Sequence, residues 1–292
     1  MRDAARDAVT PVELRARFAA LVAAGDRADL GRCALEIARI GYPDLDPAPH
    51  LRRLDDLAAA VRPRLAGAPP PEAAARLVGY LFEECGFRGN AEDYYDPRNS
   101  FLNDVLERRT GIPISLAVVL IETGSRLDLA VEGVAFPGHF LVRVPGETGP
   151  SVRDPFQRGR VVDHRELLAR LRTIYAGGGG PAGSDLQRVL PQALQTAPPT
   201  AILYRMLANL LRIYLEHSDH LRALAAVDLM LVLQPDGPED LRVRGLLYEQ
   251  LECFASALAD LECYLALAPA SAQAAEVRAH VARLRGIVAT LH

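Results

Sequence analysis

Pro235 in "LVLQPD" and Pro269 in "LALAPA" stand 34 residues apart, each at the end of a run with helical patterning. The agreement extends inward. Leu207, Leu210, Tyr214 and Ala223 precede the first proline at the offsets at which Leu241, Arg244, Tyr248 and Ala257 precede the second. A chain that repeats itself at this period forms helix-turn-helix units, each of which buries a face against its neighbour. Residues 200–292 are therefore confined to an all-α stack of two repeats, with Gly245 where close helix packing wants a small residue and "SAQAAEVRAHVARLRGIV" as a capping helix. Two repeats are fewer than a free-standing stack needs. Leu203, Met206, Leu210 and Ile213 make an apolar stripe wider than one sister helix requires, so the upstream domain is expected to cover it.

The period is that of tetratricopeptide repeats. Upstream of it the 292-residue chain has room for a second domain with its own core. Residues 11–40 carry apolar positions at helical spacing with a break at Gly25-Asp26, "GYPDLDPAPHL" interrupts, "HLRRLDDLAAAVRPRL" resumes, and "EAAARLVGYLFEECG" runs to a C-capping Gly86. From residue 87 the pattern changes. A polar, aromatic loop leads to a short helix near Phe101–Arg108 and a longer one from Pro113. "LAVEGVAF" and "HFLVRV" flank Pro137-Gly138 as a hairpin, "SVRDPF" and "GRVVD" add short strands, and a helix from His164 to Tyr175 closes the unit. "AGGGGPAGS" cannot hold a regular element. The expected organisation is an α+β domain over 1–176, with a helical N-terminal layer and a small antiparallel sheet, then a Gly/Pro-rich linker or loop over 177–199, then the repeats over 200–292.

Composition narrows the class. Hydrophobic residues at 50% and charged residues at 24% describe a globular chain, and a net charge of −4 gives no motive for nucleic-acid binding. "MRDAARDAVTPVELRARF" has no apolar signal core and no run of 18 uncharged apolar residues occurs, so the expected compartment is the cytoplasm, without membrane insertion. Cys33, Cys85, Cys253 and Cys263 lie far apart with no C-x-x-C pair, which points to reduced structural thiols rather than disulfides or zinc. His217 and His220 bracket Asp219 with a spacing that imitates a metal site, but they fall at an inter-helix turn. No metal and no cofactor is expected.

The chemistry-bearing stretch is "GIPISLAVVLIETGSRLDLAVEGVAFPGHFLVRV". A helix that starts at Pro113 presents unpaired amides at its first turn, where Ser115 lies. His139 at the start of a strand and Asp154 after the next turn follow in the order of a base and the group that orients it. Helix, strand, "GHFLVRV" and "RDPF" resemble the core of the transglutaminase-like, papain-related superfamily, in which a cysteine at a helix start precedes a strand histidine and a strand aspartate. More narrowly, "NAEDYYDPRNSFLNDVLERRTGIPISLAVVLIETGSRLDL" with "EGVAFPGHFLVRV" resembles the bacterial SirB-type transglutaminase-like family, whose members often append tetratricopeptide repeats.

The resemblance carries His139 and Asp154 over as site residues, but not the nucleophile. Counted back from Asp128, the cysteine position falls on Pro113, or with a small register shift on Ser115. Cys85 precedes the helix by a whole loop. Serine needs a close base and an oxyanion hole, and no G-x-S-x-G elbow surrounds Ser115. The expectation is a pseudo-enzyme: a protein-interaction or regulatory module with a protein or peptide partner on the repeats. The alternative is a hydrolase or acyl-transferase using Ser115, His139 and Asp154. Tyr94, Tyr95, Asp96, Arg98 and Asn99 are candidate cleft-lining residues beside His139. For the asparagines, side-chain bonds that hold the loop are the competing role. The oligomeric state is left open.

Overall fold

The computed structural model describes residues 9–176 and 185–290. The glycine run expected as a linker, Gly177–Gly180, lies outside the described residues. In chain order the elements are α1 (Pro11–Val22), α2 (Leu30–Ala38), α3 (Pro47–Leu65), α4 (Pro70–Gly79), β1 (Arg88–Gly89), α5 (Leu102–Arg108), β2 (Thr110–Gly111) and α6 (Pro113–Ser125). There follow β3 (Glu132–Val134), β4 (Leu141–Val144), β5 (Ser151–Asp154), β6 (Arg160–Val161), α7 (His164–Tyr175), α8 (Asp185–Ala193) and β7 (Thr196–Ala197). The chain ends with α9 (Pro199–Glu216), α10 (His220–Leu233), α11 (Pro238–Gln250), α12 (Phe254–Leu267) and α13 (Ala274–Thr290). None of the described helices is long and apolar enough to cross a membrane.

Among the described residues, 24–38, 45–176 and 185–206 form one compact unit. Its core is α6, which is apolar on every side: Ile114, Leu116, Ala117, Val118, Val119 and Leu120 are all buried, the pattern of a helix enclosed by its domain. Helices α2, α3, α4 and α5 pack around it, and β3 and β4 lie against it. The sheet has the order β6-β5-β4-β3-β7 and is antiparallel throughout. Against it Val134, Leu141 and Val162 bury with Leu167, Leu168 and Leu171 of α7 and Leu186 and Leu190 of α8. The helical layer plus small antiparallel sheet read from the sequence is thus present.

Two features differ from the sequence reading. Residues 185–199, expected as part of a linker, supply α8 and the sheet-edge strand β7 instead. Leu186 and Leu190, four apart on one face of α8, have a hydrophobic surface to join, and that outweighs the punctuation of the flanking Gly/Pro segments. A short parallel pairing, β1 with β2, also ties Arg88-Gly89 to Thr110-Gly111.

Among the described residues, the second compact unit comprises 9–23, 39–44 and 207–290. Helix α1, expected in the first domain, packs here on α10. Thr10 caps α1 and Glu13 reaches back in a capping box. Helix α1 thus adds a helix to the short stack through α10. Helices α10, α11, α12 and α13 stack in sequence. Gly245 is required as inferred: a Cβ there would stand 2.8 Å from the side chain of Leu261. The cysteines are free, but Cys253 and Cys263 are exposed, since they lie on the outer surface of the repeat instead of in its seam.

Candidate functional site

Pro137 and Gly138 fold the chain back in a four-residue turn, with the His139 amide donating to the Phe136 carbonyl at 3.1 Å and Gly138 at a φ of 69°. That conformation suits glycine, which is why the turn reads Pro-Gly. Arg205 Nη1 also donates to the Phe136 carbonyl, at 3.1 Å, and its guanidinium lies over the Phe140 ring. The turn delivers His139 just ahead of β4, and the neighbouring strand β5 ends at Asp154.

Asp154 is fully buried and both its oxygens are hydrogen-bonded. Oδ1 lies 2.9 Å from His139 Nε2 and accepts from the amides of Phe156 and Gln157, so one carboxylate both caps the turn after β5 and orients the imidazole. Oδ2 accepts from Arg170 Nη2 at 2.8 Å. Burial alone would raise this carboxyl's pKa. The bonds to His139 and Arg170 outweigh it and hold the pKa below the ordinary carboxylate value. An ionised Asp154 can only accept, so Nε2 of His139 carries the hydrogen and a neutral ring presents Nδ1 as an acceptor. No described residue hydrogen-bonds Nδ1. Arg170 continues to Glu166, and Glu166 to Arg160 at 2.7 Å. The Arg160 bond leads in lowering the Glu166 pKa to about 2.

Ser115 is elsewhere in hydrogen-bonding terms. It is fully buried at the third position of α6, where its Oγ donates to the Asn99 carbonyl at 2.6 Å and accepts from the Ile112 amide at 3.1 Å. This is half a capping box: the serine oxygen gives the Ile112 amide a side-chain acceptor beside the Asn99 carbonyl, to which that amide also donates at 3.3 Å. Gly111 makes room for it, since a Cβ at that position would lie 2.6 Å from the serine oxygen. Pro113 opens α6 with no side-chain nucleophile. Ser115→Ala is expected to lose about 1–2 kcal/mol of stability, measured by denaturant unfolding, because the buried bonds of its hydroxyl to the Asn99 carbonyl and the Ile112 amide are both removed.

The Asn90–Asn103 loop holds itself. Asn99 donates to the Asp93 carbonyl at 2.6 Å and accepts from Asn90, and Asp96 accepts from the Arg98 amide and pairs with the guanidinium groups of Arg98 and Arg108. Asp96, Arg98 and Asn99, expected to line a cleft, are committed to these local bonds instead. Tyr94 and Tyr95 are placed differently: an edge-to-face row runs from Tyr95 to Tyr94 to Phe156 to His139, with centroid steps of 5.3, 5.8 and 6.3 Å. The cleft that contains His139, about 420 Å³, is lined by Pro137, Gln157, Glu166, Arg170, Thr173 and Ile174, whereas Tyr94 and Tyr95, expected to line it, are not among its lining residues. Sequence reasoning missed Phe156, Arg170 and Glu166. "RDPF" marked the first weakly, and nothing local marked the other two, which reach Asp154 only once α7 packs on the sheet.

A buried aspartate at the end of one strand orienting a histidine just ahead of the adjacent antiparallel strand, beside a central helix, defines a transglutaminase-like domain, here in one chain with tetratricopeptide repeats. The profile of the Transglutaminase-like superfamily matches residues 48–208 and that of the Tetratricopeptide repeat residues 210–282, and the chain belongs to that superfamily. Within it, the chain is similar to a UPF0162 protein of Xylella fastidiosa strain Temecula1, 44% identical over 86% of this chain and 88% of the relative. It is also similar to a UPF0162 protein of Vibrio cholerae, 36% identical over 67% and 70%, and to Protein SirB1 of Salmonella typhimurium, 26% identical over 85% and 88%. The solved structure of menin aligns with 89% of this chain and 70% of its own at a TM-score of 0.40 and 10% identity, a likeness too slight to carry an argument.

Proposed function

We propose that this chain is a non-catalytic interaction or regulatory protein of the cytoplasm, whose transglutaminase-like domain binds rather than transforms and whose repeats engage a protein or peptide partner. The observation that carries this reading is the state of Ser115. Its hydroxyl proton goes to the Asn99 carbonyl and its oxygen receives the Ile112 amide, so it has no proton to give His139. Pro113, where the superfamily resemblance puts cysteine, offers no alternative. His139 and Asp154 then serve as a rigid recognition element. Asp154 fixes the ring, Nδ1 accepts from a ligand donor, and the row formed by Phe156, Tyr94 and the half-exposed Tyr95 supplies flat apolar contact.

The His139–Asp154 bond is also what a hydrolase or acyl-transferase would need, and one experiment separates the two readings. The full chain is incubated with a serine-reactive fluorophosphonate and mapped by peptide mass, alongside His139→Ala. The expected result is no adduct on Ser115 in either protein. An adduct on Ser115 that disappears in His139→Ala would overturn the non-catalytic reading.

A further inference from the structure

Successive residues on a strand face opposite sides of the sheet, so Asp154 and its neighbour Arg153 on β5 serve different surroundings. Asp154 turns to His139. Arg153 lines another cavity, of about 930 Å³, bounded by the start of α4, the turn between β4 and β5, and the start of α7. This volume falls in the range of small-molecule sites, and Pro69, Pro150, Leu167 and Leu194 give it apolar walls.

Arg153 is the anomaly in that cavity. Three other partly buried guanidinium groups are held by carboxylates, Arg126 by Glu122 and Asp55, Arg170 by Asp154 and Glu166, and Arg244 by Asp228 and Asp260, while Arg205 has the Phe136 carbonyl and the Phe140 ring. Arg153 has one bond, from Nη1 to the Gly159 carbonyl at 3.1 Å, and its buried Nε–H has no partner. Burial lowers its pKa, with no carboxylate acting in the other direction. Two carboxylates line the cavity, but Glu72 is taken by Arg76 and Glu147, on the turn, makes no ion pair with Arg153. Ser151 and His164 add further hydrogen-bonding groups to the lining. Half-burial penalises this cation and no carboxylate offsets the cost, so an anion reaching the guanidinium from the cavity would be stabilised.

We infer that this cavity is a second ligand site, distinct from the His139 cleft, that takes a small molecule carrying a phosphate or carboxylate group on an apolar body, with Arg153 as the anion-binding residue. The test uses the full chain, ¹⁵N-labelled, titrated separately with phenyl phosphate, phenylacetate and neutral benzyl alcohol. The Arg153 Nε–H resonance is the readout, assigned by its disappearance in Arg153→Lys. At least one of the two anions is expected to bind with a millimolar or tighter dissociation constant and to shift that resonance, and the stronger of the two identifies the head group. Arg153→Gln is expected to weaken this binding about tenfold or more, the size of one charge-assisted hydrogen bond. Arg153→Lys retains part of the affinity, and His139→Ala leaves it unchanged. The inference is overturned if neither anion moves the Arg153 resonance of the wild-type protein, if benzyl alcohol binds as tightly as the anions, or if Arg153→Gln binds undiminished. Each of these outcomes is independent of whether the His139 cleft is catalytic.

Discussion

Asp154→Ala is expected to destabilise the transglutaminase-like domain by about 3–5 kcal/mol, the range seen when one partner of a buried ion pair is removed. The mutation takes the acceptor from His139, from Arg170 and from the amides of Phe156 and Gln157 at once, at a carboxylate that is itself fully buried. A melting temperature lower by about 10 °C follows for a domain of this size. The Asp154 carboxyl also gives the effect a pH signature. Its folded pKa lies below its unfolded value because His139 and Arg170 outweigh desolvation. Its stabilising contribution is therefore complete above the unfolded pKa of about 3.9 and disappears as pH falls through the lower folded value. Thermal melts of wild type and Asp154→Asn between neutral and acid pH should converge below about pH 4. Parallel curves over the whole range would show that Asp154 stabilises by packing alone.

Arg244→Ala in the repeats is expected to have an effect of similar size. Arg244 on α11 joins three helices by holding Asp260 of α12 through Nε and Nη2, at 2.7 and 2.9 Å, and Asp228 of α10 through Nη1 at 2.8 Å, while its guanidinium lies over Tyr248. The three side chains are 13%, 11% and 20% exposed, so removing the cation leaves two carboxylates facing each other with little solvent to separate them. A loss of about 3 kcal/mol is expected, discounted from the fully buried case because water reaches Asp228. Asp228→Asn with Asp260→Asn in the Arg244→Ala background should recover part of it, and a double-mutant cycle measures how much is charge repulsion. If the triple variant melts no higher than the single one, the loss comes from the stacking and packing of the Arg244 stem.

Local signals made most of the architecture legible. The 34-residue period, Pro-Gly before His139, Pro113 at a helix start and Gly245 in a repeat seam each state a backbone or packing requirement within a few residues of the chain. The helices and strands that they predict are present. The same locality explains what was missed. Residues 185–199 read as a linker because α8 has only one short apolar face and β7 two residues, neither of which means anything until the sheet and α7 exist to receive them. Helix α1 looks like the first layer of the first domain, yet its Leu14 and Phe18 are buried within the unit that contains α10.

At the site, sequence alone determined which chemical groups were available: His139 and Asp154 in order on neighbouring strands, and proline or serine where a cysteine would act. Only the tertiary structure decided their use. Ser115 is adjacent to Pro113 in every sequence-level sense, but the loop that ends at Asn99 returns to take its proton, and a bond between residues sixteen apart cannot be read from spacing. Arg170 and Phe156 acquire their positions in the same way, one through the packing of α7 and the other through the turn that Asp154 caps. The sequence specifies donors and acceptors, whereas long-range packing determines which of them meet and which, such as the Nε–H of Arg153, are left without a partner.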